Sequence, residues 1–172
     1  EIKALWIIGT NPAVSMPNAD FATSAIAKVP FCVVSDITET DTTALADVLL
    51  PATGWGEKTG TVTNSERRIS MQRAFLPAPG EAKPDWQIIC EVAGRMGWSE
   101  AFDYTGPAAF FREHAELSGK AAALGRDFDI SGLATISDEN YAGFMPIKWP
   151  VTKNGPVQDR FFANGGFYHP DA

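Results

Sequence analysis

Three short apolar runs punctuate the first third of the chain: ALWIIG from Ala4 to Gly9, FCVVSD from Phe31 to Asp36, and ADVLLPA from Ala46 to Ala52. Between the first two, NADFATSAIAKV sets Phe21, Ala25, Ile26 and Val29 at helical spacing, with Asn18 or Asp20 available as a cap. Strand, helix and strand within about thirty residues form the signature of a βαβ unit, and apolar runs that do not alternate belong to strands covered on both faces. The pattern predicts an α/β fold: a mainly parallel, doubly wound sheet with helices on both faces. Pro51 suits the end of the third strand and not its interior.

The rhythm then changes. RISMQRAF alternates Ile69 and Met71 against Ser70 and Gln72, an extended segment, and LPAPGEAKP is a Pro/Gly loop. DWQIICEVAGRMGW predicts a helix from Asp85, taken as its cap, with Ile88, Ile89, Val92, Ala93 and Met96 on one face and Gly97 as its stop. A second helix spans Gly106 to Gly119, with Pro107 in its first turn. From Lys120 onward periodicity weakens, leaving DENYAGF as a short helix and Asn164-Gly165-Gly166 as a hairpin signal. The expected division is therefore an α/β domain over 1–119 and an irregular connection over 120–172.

Composition narrows the function. A chain of 172 residues with 45% hydrophobic and 20% charged residues is long enough to bury a core. Its net charge of -7 argues against charge-driven nucleic-acid binding. No apolar run approaches the ~20 residues of a membrane-spanning helix. Cys32 and Cys90 lie far apart in apolar settings and are expected as buried free thiols, which suits a reducing, cytoplasmic location. With His114 and His169 isolated, neither a metal cage nor a catalytic centre is legible. The chain has no initiator Met and enters an apolar run within four residues, as a piece of a longer protein would.

In open α/β sheets, ligands bind beyond the carboxyl ends of the strands, where GTNP and SDITETD fall here. A lone Gly in GTNP gives no dinucleotide fingerprint, and Asn11 reads either as a turn residue or as a ligand contact. Of Asp36, Glu39 and Asp41, the last two read as solvated or capping acids. Asp36 is placed to accept the paired N1 and N2 donors of a guanine. The third run leads into GWGEKTGTVTNSERRIS, Gly54 to Ser70. Its charges suit a surface ion pair and a phosphate-contacting loop equally, and TNSE has the form of a capping box that no helix follows.

The stretches LWIIGTNPAVSMPNAD and VVSDITETDTTALADVLLPATGWGEKTGTVTNSERRISMQRAFLPAPGEAKPDWQIICEVAGRMGW closely resemble the molybdopterin oxidoreductase family. FREHAELS, RDFDISGL and FFANGGFYHPDA continue the likeness more loosely. Within the family the wording is most similar to prokaryotic assimilatory nitrate reductases. The resemblance implies a bis(molybdopterin guanine dinucleotide)molybdenum cofactor, reduction of nitrate to nitrite by oxygen-atom transfer, and an electron donor such as a reductase subunit, ferredoxin or flavodoxin. It also implies an iron–sulfur cluster and a molybdenum ligand elsewhere in the parent chain, and a β-rich domain after residue 172.

Carried over position by position, the resemblance implies cofactor contacts at Asn11, Ser35, Asp36, Lys58 and Asp85, with Asn64, Glu66 and Arg68 behind them. Gly56 and Gly60 would admit close backbone approach. No catalytic residue and no metal ligand is expected in this chain; its share is to hold a guanine nucleotide arm. The alternatives are the same domain from a formate dehydrogenase, and a stand-alone nucleotide-binding or interaction module.

Overall fold

The computed structural model describes residues 2–156 and Phe162, so the expected hairpin at Asn164-Gly165-Gly166, and His169, lie outside the described residues. In chain order the elements are β1 (Leu5–Ile8), α1 (Pro12–Ser15), α2 (Ala19–Ile26), β2 (Cys32–Asp36), β3 (Val48–Pro51), β4 (Gly60–Thr63) and β5 (Arg68–Gln72). They continue with α3 (Asp85–Arg95), α4 (Pro107–Ala122), α5 (Asp138–Ala142), β6 (Ile147–Lys148), β7 (Val151–Thr152) and β8 (Gly155–Pro156). Packing sorts them into two compact units interleaved along the sequence. One is made by Glu1–Lys58 with Arg73–Asp103, the other by Thr59–Gln72 with the chain from Tyr104 onward.

The first unit is the α/β part. β1, β2 and β3 pair in that order, all parallel, with Ile8 opposite Ser35 and Asp36 opposite Pro51. Ile7, Ile26, Cys32 and Val34 form its core, against which Leu5, Leu45 and Ala46 pack. α2 thus contributes Ile26 to the sheet, and Asn18 caps it by accepting from the Phe21 N–H at 3.4 Å. Asp47 ties down the start of β2: its carboxylate accepts from Cys32 N at 2.7 Å, and its own N–H donates to Cys32 O at 2.8 Å. Cys32 is buried and Cys90 half-buried, and both are free. Burial pushes both thiols up, with the Asp47 charge adding to the effect at Cys32.

β3 departs from the expectation of cover on both faces. Val48 and Leu49, on opposite faces of the strand, are both exposed; β3 is one of the two outer strands, and its continuous apolar run reports strand identity without reporting cover. Past its end the sheet is extended by one parallel step. Ala52 bridges Lys83, Lys83 N donates to Pro51 O, and Thr53 N donates to Lys83 O, both at 3.1 Å. This pairing delivers the chain to α3, whose stop is the one expected. Gly97 adopts φ +90, and the N–H groups of Gly97 and Trp98 return to the carbonyls of Gly94 and Ala93.

The second unit is built on an antiparallel sheet, β4-β5-β6, that the sequence pattern only half announced. β5 is the predicted alternating segment, but its partner β4 comes from GTVT, within the polar stretch expected to be loop. The residues of the apparent capping box close this hairpin. Asn64 Oδ1 accepts from the N–H groups of Glu66 and Arg68 at 3.1 and 3.0 Å, while Arg67 takes φ +69. Over this sheet lies a core of Ile69, Phe111, Ala115, Ile130, Tyr141 and Phe144. α4, expected with the α/β part, therefore packs in the second unit, and it runs past Gly119 to Ala122.

Phe111 is 3% exposed and packs its ring 5.2 Å from Tyr141 and 5.8 Å from Phe144, centroid to centroid. Phe111→Ala should cost about 3–5 kcal/mol in urea denaturation. Leu117→Ala, on the exposed face of the same helix, should stay within about 0.5 kcal/mol of the parent.

Candidate functional site

Parallel pairing sends β1, β2 and β3 out at one edge, so the loops that follow them begin side by side. β2 ends in Ser35 and Asp36. Ser35 is 1% exposed, and its hydroxyl accepts the indole N–H of Trp6 at 2.9 Å. Asp36 is half-buried and lines a cavity of about 190 Å³ with Ile37, Thr38, Glu39, Thr43 and Pro51. Its Oδ1 accepts from Ile37 N at 2.7 Å; among the described residues no hydrogen bond engages Oδ2. A carboxylate oxygen has two lone pairs, so both oxygens retain the capacity to accept from a ligand.

The loop after β1 turns at Gly9, φ +60, and its N–H donates to Ser35 O at 2.9 Å. Asn11 stands at the head of α1 and does not cap that helix with its side chain. Its Oδ1 instead accepts from the hydroxyl of Thr42, 2.6 Å away, and the same hydroxyl oxygen accepts from Ala13 N at 3.1 Å. Thr42 is fully buried. The segment TDTTALAD forms a single 3-10 turn, Thr43–Leu45, in which the Thr40 hydroxyl takes the Thr43 N–H. Glu39 and Asp41 are exposed.

The loop after β3 is closed at both ends. Gly54 N donates to Glu57 Oε2 at 2.7 Å and Glu57 N donates to Gly54 O at 3.2 Å, which fixes Trp55–Glu57 as a 3-10 turn ending at Lys58. Gly56 O accepts from Phe75 N and Leu76 N at 2.8 and 2.9 Å, and the Phe75 ring occupies the side of Gly56 where a Cβ would project. Gly56 therefore serves the returning chain, contrary to the expectation that it opens space for a ligand. Lys58 Nζ meets Asp85 Oδ2 at 2.8 Å, with each side chain about a third exposed. Asp85 is the first residue of α3 and not its cap: Pro84 holds that position and has no side-chain acceptor, so no side chain caps the helix, and the Asp85 carboxylate is turned to Lys58.

The five expected contacts thus fall into two groups within the first unit. Asn11, Ser35 and Asp36 share the sheet edge, and Lys58 and Asp85 form an ion pair, attached to that edge through the Thr53–Lys83 backbone pairing. Thr53 is fully buried and its hydroxyl has no hydrogen-bond partner among the described residues. Asn64, Glu66 and Arg68 belong to the second unit, where Glu66 accepts from Arg68 Nε at 2.9 Å and lies 3.7 Å from Lys148. Arg68, Lys148 and the Asn64 amide hold the Glu66 carboxyl below its ordinary value, with the Arg68 bond the largest cause. Arg67 donates to Trp149 O at 2.8 Å and sits over the Trp149 ring. These side chains brace the hairpin.

Residues 1–95 match the molybdopterin oxidoreductase family. The chain belongs to that family. It is 49% identical over 155 residues to a nitrate reductase of Klebsiella oxytoca, an alignment covering 90% of this chain and 18% of the relative. It is also 39% identical over 145 residues to the alpha subunit of an F420-dependent formate dehydrogenase of Methanocaldococcus jannaschii, covering 83% and 22%. Among solved structures, acetylene hydratase from Pelobacter acetylenicus superposes with a TM-score of 0.64 at 23% identity, over 97% of this chain and 24% of that one. The chain thus spans about a fifth of the length of these relatives, and its fold is that of a molybdopterin enzyme. Family membership implies a molybdenum–pterin cofactor.

Two residues beside the candidate contacts escaped the sequence reading. Thr42 was hidden in a threonine-rich loop with Thr38, Thr40 and Thr43, and Trp6 looked like one more apolar member of a buried strand. The signal each carried was a polar atom in an apolar or closely packed context, which demands a partner.

Lys83, which carries the sheet extension, is held through its ammonium by both oxygens of Glu91 at 2.7 Å. The Lys83 hydrogen bond is the main reason the Glu91 carboxyl lies below its ordinary value. A depressed folded-state value means that this stabilisation is complete above the unfolded carboxylate range and disappears as pH falls through the folded value. Glu91→Gln should therefore lower stability by about 0.5 kcal/mol at pH 7, the pair being partly solvated. Thermal melts of parent and variant should converge as the pH is taken below the ordinary carboxylate range and through the lowered value of Glu91.

Proposed function

We propose that this chain is the part of a molybdenum nitrate reductase that holds one guanine nucleotide arm of a bis(molybdopterin guanine dinucleotide) cofactor. The observation that carries the reading is Asp36: a carboxylate at the carboxyl end of a parallel strand, lining a cavity and free to accept through both oxygens. Guanine offers two parallel donors on one edge, and a carboxylate at a strand end accepts such a pair. Asn11 on the same edge is the accompanying side-chain contact, while Ser35, buried and held by Trp6, sets the strand end from which Asp36 projects. Lys58 would offer its charge to the anionic arm while Asp85 keeps it oriented.

The bound cofactor supplies two-electron oxygen-atom exchange at molybdenum, converting nitrate to nitrite. Nothing in this chain needs to take or give a proton for that purpose. Its residues bind and orient, and accurate placement is their contribution to rate. The iron–sulfur cluster, the molybdenum ligand and the docking of an electron donor belong to the rest of the parent protein, which we place in the cytoplasm. The likeness to a formate dehydrogenase supports a second reading, formate oxidation on the same framework; the higher identity to a nitrate reductase favours nitrate.

The full-length protein, purified with its cofactor, should form nitrite from nitrate with a reduced artificial donor and should not reduce such dyes with formate. Formate turnover without nitrate turnover would replace the first reading by the second. Asp36→Ala in the same protein should lower the guanine nucleotide released on acid hydrolysis by more than about tenfold, as expected when charge-assisted hydrogen bonds are lost. Unchanged molybdenum and nucleotide content would remove Asp36 from the site.

A further inference from the structure

Asn11 sits at the position where an Asn ordinarily accepts from the first-turn N–H groups of a helix, and it does not do so. Its Oδ1 is committed elsewhere, to the hydroxyl of Thr42 at 2.6 Å, across 31 positions of sequence. The direction of that bond follows from its neighbour. Ala13 N–H can only donate, and it donates to Thr42 Oγ1 at 3.1 Å. The hydroxyl hydrogen of Thr42 is then free for Asn11, and Thr42, fully buried, has no water to give it to. Asn11 must therefore turn its carbonyl oxygen toward Thr42. Its amide nitrogen, which no hydrogen bond among the described residues engages, faces away with two N–H donors.

We infer that Thr42 is a positioning residue for Asn11: it fixes the side-chain amide so that Asn11 presents N–H donors, and never its carbonyl, to the cofactor. The inference rests on the reading of Asn11 as a cofactor contact. The acceptor it serves is an oxygen of the nucleotide arm, phosphate or carbonyl, and a flipped amide would set oxygen against oxygen. Thr42 is well suited to the task, because a β-branched, buried hydroxyl has little rotational freedom to exchange donor and acceptor roles. The same arrangement couples the loop after β1 to the loop after β2, so the donor is held at a set height above the edge that carries Asp36.

The test uses the full-length protein, with guanine nucleotide released on acid hydrolysis and molybdenum per protein as readouts, and melting of the cofactor-free form as the control for folding. Asn11→Asp keeps an acceptor for the Thr42 hydroxyl and removes both donors; it should fold normally and retain about tenfold less nucleotide. Thr42→Val should fall by a similar factor, Thr42→Ser should recover to within about twofold of the parent, and Thr42→Val combined with Asn11→Ala should be no worse than Asn11→Ala alone. Parental nucleotide content in Asn11→Asp would overturn the inference, even where Thr42→Val fails to accumulate. So would additive losses in the double variant. If Asn11→Ala keeps its nucleotide, the contact itself falls; if it loses the nucleotide while Thr42→Val does not, the contact stands and the positioning role is overturned.

Discussion

Parallel pairing of β1, β2 and β3 is the constraint on which the rest of the first unit depends. Adjacent parallel strands require the chain to return to its starting level before each new strand, and that return is made outside the sheet. Each strand therefore releases its following loop at the same edge. Gly9, Asp36 and Ala52 are neighbours for this reason alone, and every candidate contact hangs from one of those three exits or from the Lys83 pairing that extends the third. The register fixes heights as well as neighbours, with Ser35 level with Ile8 and Asp36 level with Pro51.

Within that frame the loops are made rigid by short polar bonds between segments distant in sequence. Thr42 joins the second loop to the first, Trp6 holds Ser35 across two strands, and Lys58 holds Asp85 across 27 positions. Bonds of this kind each contribute about 1 kcal/mol net, little against the cost of ordering a loop. Their value lies in direction. A buried hydroxyl or indole leaves one arrangement of donors and acceptors satisfied and penalises the others.

The strands and major helices were legible because their signals are local. The runs at Leu5, Cys32 and Val48, the face from Ile88 to Ala93 and the stop at Gly97 each say what they are without reference to distant residues. What escaped was relational. GTVT became β4 only because β5 lies opposite, and the Asn64 side chain that looked like a helix cap closed their turn. Asp85 has the form of a cap, yet its carboxylate was claimed by Lys58. The cover of β3 could not be read from its apolar run, since edge and central strands share a composition. Of the candidate contacts, the placement of Asp36 followed from topology, whereas the orientation of Asn11 depends on a threonine that no spacing rule singles out.

The interleaving of the two units sets different limits on change in different parts of the chain. β4 and β5 form an excursion between Lys58 and Arg73, both in the first unit, so to that unit the hairpin is a closed loop joining two anchored points. The entropy of closing such a loop grows only with the logarithm of its length, about 0.6 kcal/mol per doubling. The parallel sheet alone therefore constrains the length of this excursion only weakly; what holds the hairpin is the second unit, whose core takes Ile69 from β5 and whose β6 pairs with it. One polar stretch of sequence, Gly54 to Ser70, thus answers to two cores at once: its first part is held by the parallel-sheet unit and its second by the packing around Ile69.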